Sequence, residues 1–264
     1  MMRSAGHLQM NARVLQFVLL VLLLAAWESG IRQGWLAYLI PNPTFWFSSP
    51  SAILTLLWKL TESGRLAGHL WLTLSATVTG LVIGALLGTA AGMLMAASRI
   101  LEAACAPLWS ALNALPKIAL APAFAAVFGF GIASKVALAV TLVFFVFLLA
   151  TISGLRGVNP TILNNLRLMG AGRAQILRMA MLPTLARWHY GALRISVGLA
   201  LTAVIVGEFV AARGGIGFLI QYGSGTFNVA WSYAGILVLG ALALVLDGML
   251  RVGQRWIMPW EVVK

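Results

Sequence analysis

Few side chains in this 264-residue sequence could do chemistry, and most of them lie inside apolar runs. Six Asp and Glu, three His and one Cys are too thinly spread for metal-ligand spacing, so no metal site is expected. Ser224, in Gly223-Ser224-Gly225, invites comparison with an intramembrane serine protease. Its only possible bases are His7, His69 and His189, which are read here near span ends or in loops, none within a span beside a serine. Gly170–Arg173 lacks the lysine and the preceding strand that a phosphate-binding loop requires, so nucleotide hydrolysis is not expected in this chain. What remains is charge at membrane depth. Lys117 and Glu208 stand in apolar segments, where an ionisable group normally faces a partner or a water-filled path. Asn113, Pro116, Lys117 and Glu208 are therefore candidates for a translocation path, in which the lysine would suit an anion. The bland alternative is a structural ion pair between Lys117 and Glu208. Asp247, the only Asp, is read near the inner surface.

These residues need a scaffold, and composition says which kind. Hydrophobic residues make up 61% and charged ones 9%, with a mean hydropathy of +0.95, which excludes a soluble enzyme. The net charge of +12 could suggest nucleic acid, but the bases sit in short gaps between apolar runs, so no nucleic-acid partner is expected. Cys105 reads as a small core residue. Stretches without a charge run for 33 residues after Arg65, 20 after Lys135 and 33 after Arg213. Three shorter or interrupted segments, Val14–Trp27, Ala103–Phe130 and Tyr190–Ala211, bring the expected spans to six in an all-α membrane protein. The first could instead be a signal peptide, although no small-x-small cleavage site follows it.

With the N-terminus inside, twelve bases fall on the cytoplasmic side: Arg3, Arg13, Arg99, Arg156, Arg167, Arg173, Arg178, Arg187, Arg194, Arg251, Arg255 and Lys264. Five fall outside: Arg32, Lys59, Arg65, Lys135 and Arg213. Both termini are thus expected in the cytoplasm. The whole chain, 1–264, reads as one membrane domain, with an outer segment at 41–66 and a cytoplasmic loop at 158–189. In the outer segment, Ser51–Gly64 is predicted as an amphipathic helix with Ile53, Leu54, Leu57 and Leu60 on one face, lying on the membrane surface.

Gly80, Gly84, Gly88 and Gly92 recur every fourth residue on the second span and predict a smooth face for close helix packing, or else a subunit interface or a sliding surface. Pro107, Pro116 and Pro122 predict a kinked or discontinuous third span. In the cytoplasmic loop, Pro160 opens a helix whose apolar face includes Leu166 and Met169, and Gly170-Ala171-Gly172 interrupts it. A second short helix follows, with Arg173 outward and Ile176, Leu177 and Ala180 together, and Leu182-Pro183 is expected to end it. Two amphipathic helices joined by glycine suit docking on a cytoplasmic partner, or a bed of anionic lipid.

Gly170 followed thirteen residues later by Pro183 resembles the "EAA" loop of permease subunits of ATP-binding-cassette (ABC) importers. Leu115-Pro116-Lys117-Ile118-Ala119-Leu120-Ala121-Pro122 and Phe128-Gly129-Phe130-Gly131 are similar to the nitrate/sulfonate/taurine/bicarbonate branch of that family. So are Pro43–Ile53, Gly207-Glu208 and Gly214-Gly215-Ile216-Gly217-Phe218. The likeness runs in order from about residue 40 to the C-terminus, but the Glu-Ala-Ala positions read Asn164-Asn165-Leu166, without the glutamate.

The resemblance implies a type I importer permease in a bacterial inner membrane. It implies two permease copies around the path, two ATPase subunits that bind the ATP and Mg, and a periplasmic solute-binding protein outside. The coupling loop would then present Asn164, Arg167, Gly170, Ala171, Gly172, Arg173 and Pro183 to the ATPase, and the cargo would be a small anionic or zwitterionic solute. No cofactor is expected in this chain. A stand-alone secondary transporter is the runner-up, and it leaves the glycine-proline loop without a role.

Overall fold

The computed structural model describes residues 2–211 and 213–257, with side chains over 14–210 and 213–255; Lys264, counted above for orientation, lies outside them. All regular structure among the described residues is helical. In chain order the helices are α1 (Met2–Arg32), α2 (Pro43–Trp46), α3 (Pro50–Glu62), α4 (Arg65–Ala97), α5 (Arg99–Ala114), α6 (Ala121–Phe128), α7 (Ile132–Arg156), α8 (Pro160–Leu168), α9 (Arg173–Ile176), α10 (Leu182–Ala211), α11 (Ile216–Gly225) and α12 (Val229–Ile257). Five described helical stretches are long and apolar enough to cross a bilayer, and α5 with the helical residues 117–128 makes a sixth if the bent pair counts as one span.

The chain divides into two compact units, Met1–Ala67 with Leu219–Leu237 and Gly68–Phe218 with Val238–Lys264. In the first, the C-terminal end of α1 is tied to α3 by Glu28, which pairs with Arg32 at 2.5 Å and accepts from the Ser51 backbone N–H at 3.0 Å. The amphipathic helix starts at Pro50, capped by Ser49 Oγ, and ends at Glu62. Its buried residues are Ile53 and Leu60, one face seven residues apart, whereas Leu54 points outward with Trp58, so the expected apolar face is narrower than the sequence pattern implied.

The second unit is organised around α7. Its inward face, Leu138, Ala139, Leu142, Val143 and Phe147, packs with Ala76 of α4 and with Ala192, Ala200, Ala203 and Val204 of α10. In a bilayer, burying apolar surface gives little drive, because lipid is as apolar as leucine; close van der Waals contact between small residues supplies it instead. The glycine stripe of α4 does this within the chain. A Cβ on Gly80 would fall 2.5 Å from Ala139 Cβ, on Gly84 2.8 Å from Val143 Cβ, and on Gly92 2.5 Å from Thr151 Cβ. At Gly88 it would meet the Phe144 carbonyl oxygen and lie 2.9 Å from Phe147 Cβ. Residues 139, 143, 147 and 151 repeat with the same period of four, so two matched ridges lie against each other.

Two expectations about helix ends need revision. The third span is discontinuous, but at one place: α5 continues through Pro107, Pro122 sits harmlessly in the first turn of α6, and the chain turns by 76° around Leu115-Pro116. Leu182-Pro183 does not end a helix. One helical run, Arg173–Val210, crosses it, because the turn before it widens into a π-turn over Leu177–Met181, where the Leu182 N–H reaches the Leu177 carbonyl. Proline is accommodated there since the wider turn relieves the clash that its ring makes with the preceding turn. The last charge-free stretch holds more than its single span: the short helix α11 and a tight turn at 226–228 precede α12.

Candidate functional site

Lys117 occupies the first turn after the break, in a 3-10 segment. Its Nζ donates to the Asn113 carbonyl oxygen at 2.7 Å and to Asn113 Oδ1 at 2.9 Å, and it rests 4.6 Å from the centre of the Phe145 ring. Asn113 lies at the end of α5 and Phe145 in the middle of α7, so the break is what turns the lysine back onto α7. A cavity of about 450 Å³ opens here, with Asn113, Pro116 and Lys117 on its wall and otherwise apolar side chains. The structure brings Asn113, Pro116 and Lys117 together and leaves Glu208 elsewhere. The ion pair offered as the alternative for Lys117 does not form.

Glu208 has different partners. It is 1% exposed on α10, accepts from Thr73 Oγ1 at 2.8 Å and from the Gly217 N–H at 2.7 Å. Thr73 in turn accepts from the Ile216 N–H at 2.8 Å, and His69 Nδ1 from the Gly215 N–H at 3.0 Å. Side chains of α4 and α10 thus take up three successive N–H groups of the Gly215-Ile216-Gly217 turn, the orphan donors at the start of α11. Gly215 has φ +111°, and a Cβ there would strike the Glu208 carboxylate. Lys135, expected at the outer surface, is instead 7% exposed in the first turn of α7 and within electrostatic reach of Glu208. An acid and a base that are both buried need each other. Glu208 belongs to this clasp and not to the wall around Lys117.

His189 also departs from its expected place near a span end. It lies inside the run Arg173–Val210, with Nδ1 3.1 Å from the Leu185 carbonyl oxygen and Nε2 3.0 Å from Thr89 Oγ1. The carbonyl requires a proton on Nδ1, so Nε2 accepts from Thr89, and the imidazole joins α4 to α10 beside the glycine stripe. Ser224, the candidate nucleophile, bonds to the Ile220 carbonyl oxygen at 3.1 Å and lies 3.2 Å from Ser232 Oγ. Those are the bonds of a hydroxyl that ties α11 to α12. Asp247 takes Arg251 one turn away and Arg194 of α10 at 3.4 Å, and Glu102 pairs closely with Arg156 at the opposite end of α7 from Lys135.

The loop at 158–189 is built by local rules. Asn159 Oδ1 caps α8 by accepting from the Thr161 N–H at 2.9 Å, and Pro160 fills the first helical position. At the other end the Ala171 N–H reaches back to the Leu166 carbonyl and the Gly170 N–H to that of Arg167, with Gly170 at φ +78°. This paired closure needs a left-handed residue, which is why glycine stands there. Gln175 Oε1 then accepts from the Gly172 N–H at 2.8 Å and starts the next helix. Leu166 is half-buried, but Met169 is 82% and Leu168 86% exposed, so Met169 is not on the inward face that its spacing suggested. Asn164, Arg167, Gly170, Gly172 and Arg173 are exposed around this apolar tip, Ala171 is half-buried, and Pro183 lies back in the long helix.

Sequence reasoning missed Thr73 and His69 as partners of the Gly215 turn, Lys135 as the base near Glu208, and Phe145 as the ring under Lys117. A base only three residues into an apolar run, as Lys135 is, was the one available signal.

Residues 80–259 match the family described as binding-protein-dependent transport system inner membrane component. Among curated relatives, the riboflavin transport system permease protein RibX of Chloroflexus aurantiacus is 32% identical over 245 residues, 92% of this chain and 89% of that protein. The taurine transport system permease protein TauC of Escherichia coli is 26% identical over 247 residues, 92% and 88% of the two chains. Among solved structures, a chain of the MetNI methionine ABC transporter in an inward-facing form superposes with a TM-score of 0.60 at 20% identity, covering 71% of this chain and 95% of that one.

Proposed function

Because this chain belongs to the family of binding-protein-dependent transport system inner membrane components and is a membrane permease of that kind, we propose that it carries a small anionic or zwitterionic solute inward as the permease of an ATP-driven importer. Two copies form the path, each facing one ATPase subunit, with a solute-binding protein on the outer side. Both termini lie in the cytoplasm, as the distribution of Arg and Lys favours. The chain hydrolyses nothing itself; ATP and Mg belong to the ATPase.

One observation carries this reading: an exposed apolar tip flanked by Arg167 and Arg173 whose second helix is continuous with a span. A lipid-resting helix has no need of that continuity. A docking element does, because the ATPase can favour one permease state only through contacts that differ between states. Asn164 stands where the family has an acid, so the polar contacts fall to the two arginines. Lys117 supplies the path with a positive charge, a choice that suits an anion. The relatives are named for riboflavin and for taurine, two different cargoes, so the charge and walls of the path carry the choice here.

The direct test is purification from the native membrane in mild detergent with mass spectrometry of what accompanies the chain. One nucleotide-binding ATPase per permease is expected. A chain that arrives alone, under conditions that keep other membrane complexes intact, would return the secondary transporter to first place. A second test addresses the loop. Gly170→Val puts a β-branched residue at φ +78° with no neighbour within 4 Å to clash, so only the backbone is strained, by about 1–3 kcal/mol. The variant should reach the membrane and pull down the ATPase, yet lose most solute-stimulated ATP hydrolysis. Uptake at the wild-type rate would refute docking through this loop.

A further inference from the structure

We infer that Lys117, Asn113 and Phe145 form a site for planar, ring-bearing anions, a narrowing of cargo class that rests on the permease reading above. The cavity at Lys117 has the size of small-molecule pockets, about 300–1,000 Å³ in general. Its wall is Leu115, Ile118, Leu142, Phe145, Val146 and Leu149, with one cation and one amide. A bare oxyanion, or an anion on a short polar chain, could meet the lysine but would leave that wall facing water. An anion with a flat apolar body satisfies both.

The contacts of the lysine indicate how. Of its three N–H groups, two are directed at Asn113, and the ammonium covers the Phe145 face. A negative charge entering the cavity draws the ammonium away from the ring. The face so vacated is flat, apolar and fixed in orientation: Phe144 packs edge-on against Phe145 with centroids 5.2 Å apart, and Trp109 does so at 6.2 Å. An aromatic ring takes up that face by stacking, while its acidic group keeps the ammonium. A second cavity, of about 280 Å³, shares Asn113, Phe145 and Leu149 with the first and reaches Trp109. Trp109 lines that second cavity, so the apolar wall continues beyond the first one.

Benzenesulfonate and taurine carry the same sulfonate on different bodies, which makes them the discriminating pair. The full chain, purified with its accompanying subunits into lipid nanodiscs, is dialysed to equilibrium against radiolabelled benzenesulfonate, with taurine and nitrate as competitors. Saturable binding is expected, with taurine and nitrate about tenfold or more weaker. Lys117→Met should weaken benzenesulfonate about tenfold and Lys117→Arg should restore most of it. Phe145→Leu should erase the preference for the ring while leaving taurine unchanged. Equal competition by taurine, full binding by Lys117→Met, or no saturable binding would overturn the site. The ATPase content of the same preparation reports on the importer reading separately: its presence with equal competition removes the ring-binding site alone, and its absence with ring-selective binding that depends on Lys117 removes the ATP-driven importer alone.

Discussion

Gly88→Ala should destabilise the protein by about 3 kcal/mol, the upper end for overpacking, although it adds one methyl group. The new Cβ meets the Phe144 carbonyl oxygen and lies 3.1 Å from the Leu148 backbone nitrogen, so no side-chain rotation relieves it; α4 and α7 must separate. Separation loosens the whole matched face from Gly80 to Gly92 and moves Thr89 away from His189. The expected result is a steep fall in folded protein recovered from the membrane and a lower thermal midpoint of what remains. Gly68→Ala is the control on the same helix, since nothing lies within 4 Å of it and an exchange of Gly for Ala in a helix adds about 0.5–1 kcal/mol. A Gly88→Ala protein as stable as Gly68→Ala would refute the packing assignment.

Glu208→Ala should cost about 3–5 kcal/mol, the range for removing one member of a buried charged pair. It strands the Gly217 N–H, leaves the Thr73 hydroxyl without its acceptor and deprives Lys135 of its nearest negative charge. Glu208→Gln keeps an acceptor and should cost less, and Lys135→Met combined with Glu208→Gln should recover part of the loss, because two neutral groups replace a lone buried cation. The measurement is thermal unfolding of the detergent-solubilised protein, with proteolysis near Gly214 as a local reporter. Were Glu208 a group on the path instead, transport would fall while stability and protease resistance stayed at wild-type levels.

Six spans, the broken third one and the glycine face could be read from the sequence because each depends on local rules: run length, proline chemistry and a period of four. The Gly170 closure was legible for the same reason. Partner choice was not. Lys117 and Glu208 were natural partners as opposite charges in apolar runs, yet Thr73 and Glu208, which do bond, are 135 residues apart, and no periodicity marks a threonine as the acceptor of a distant turn. Asn113 was four residues from Lys117 and won because a helix end turns such neighbours toward each other. Pro183 misled in the opposite direction. Proline ends most helices, but a π-turn is a tertiary accommodation that no residue pattern announces.

The continuity through Pro183 has a mechanical consequence. From Arg173 to Val210 the helix runs 38 residues, or about 57 Å at 1.5 Å each, from the loop tip to the vicinity of Glu208. A push at the tip therefore needs no intermediate linkage to reach the far end; the element is a lever, and the wide turn at Leu177–Met181 is where it can flex. Since the far end holds the Gly215 turn through the Glu208 clasp, a load applied at Arg173 arrives as a tug on the start of α11.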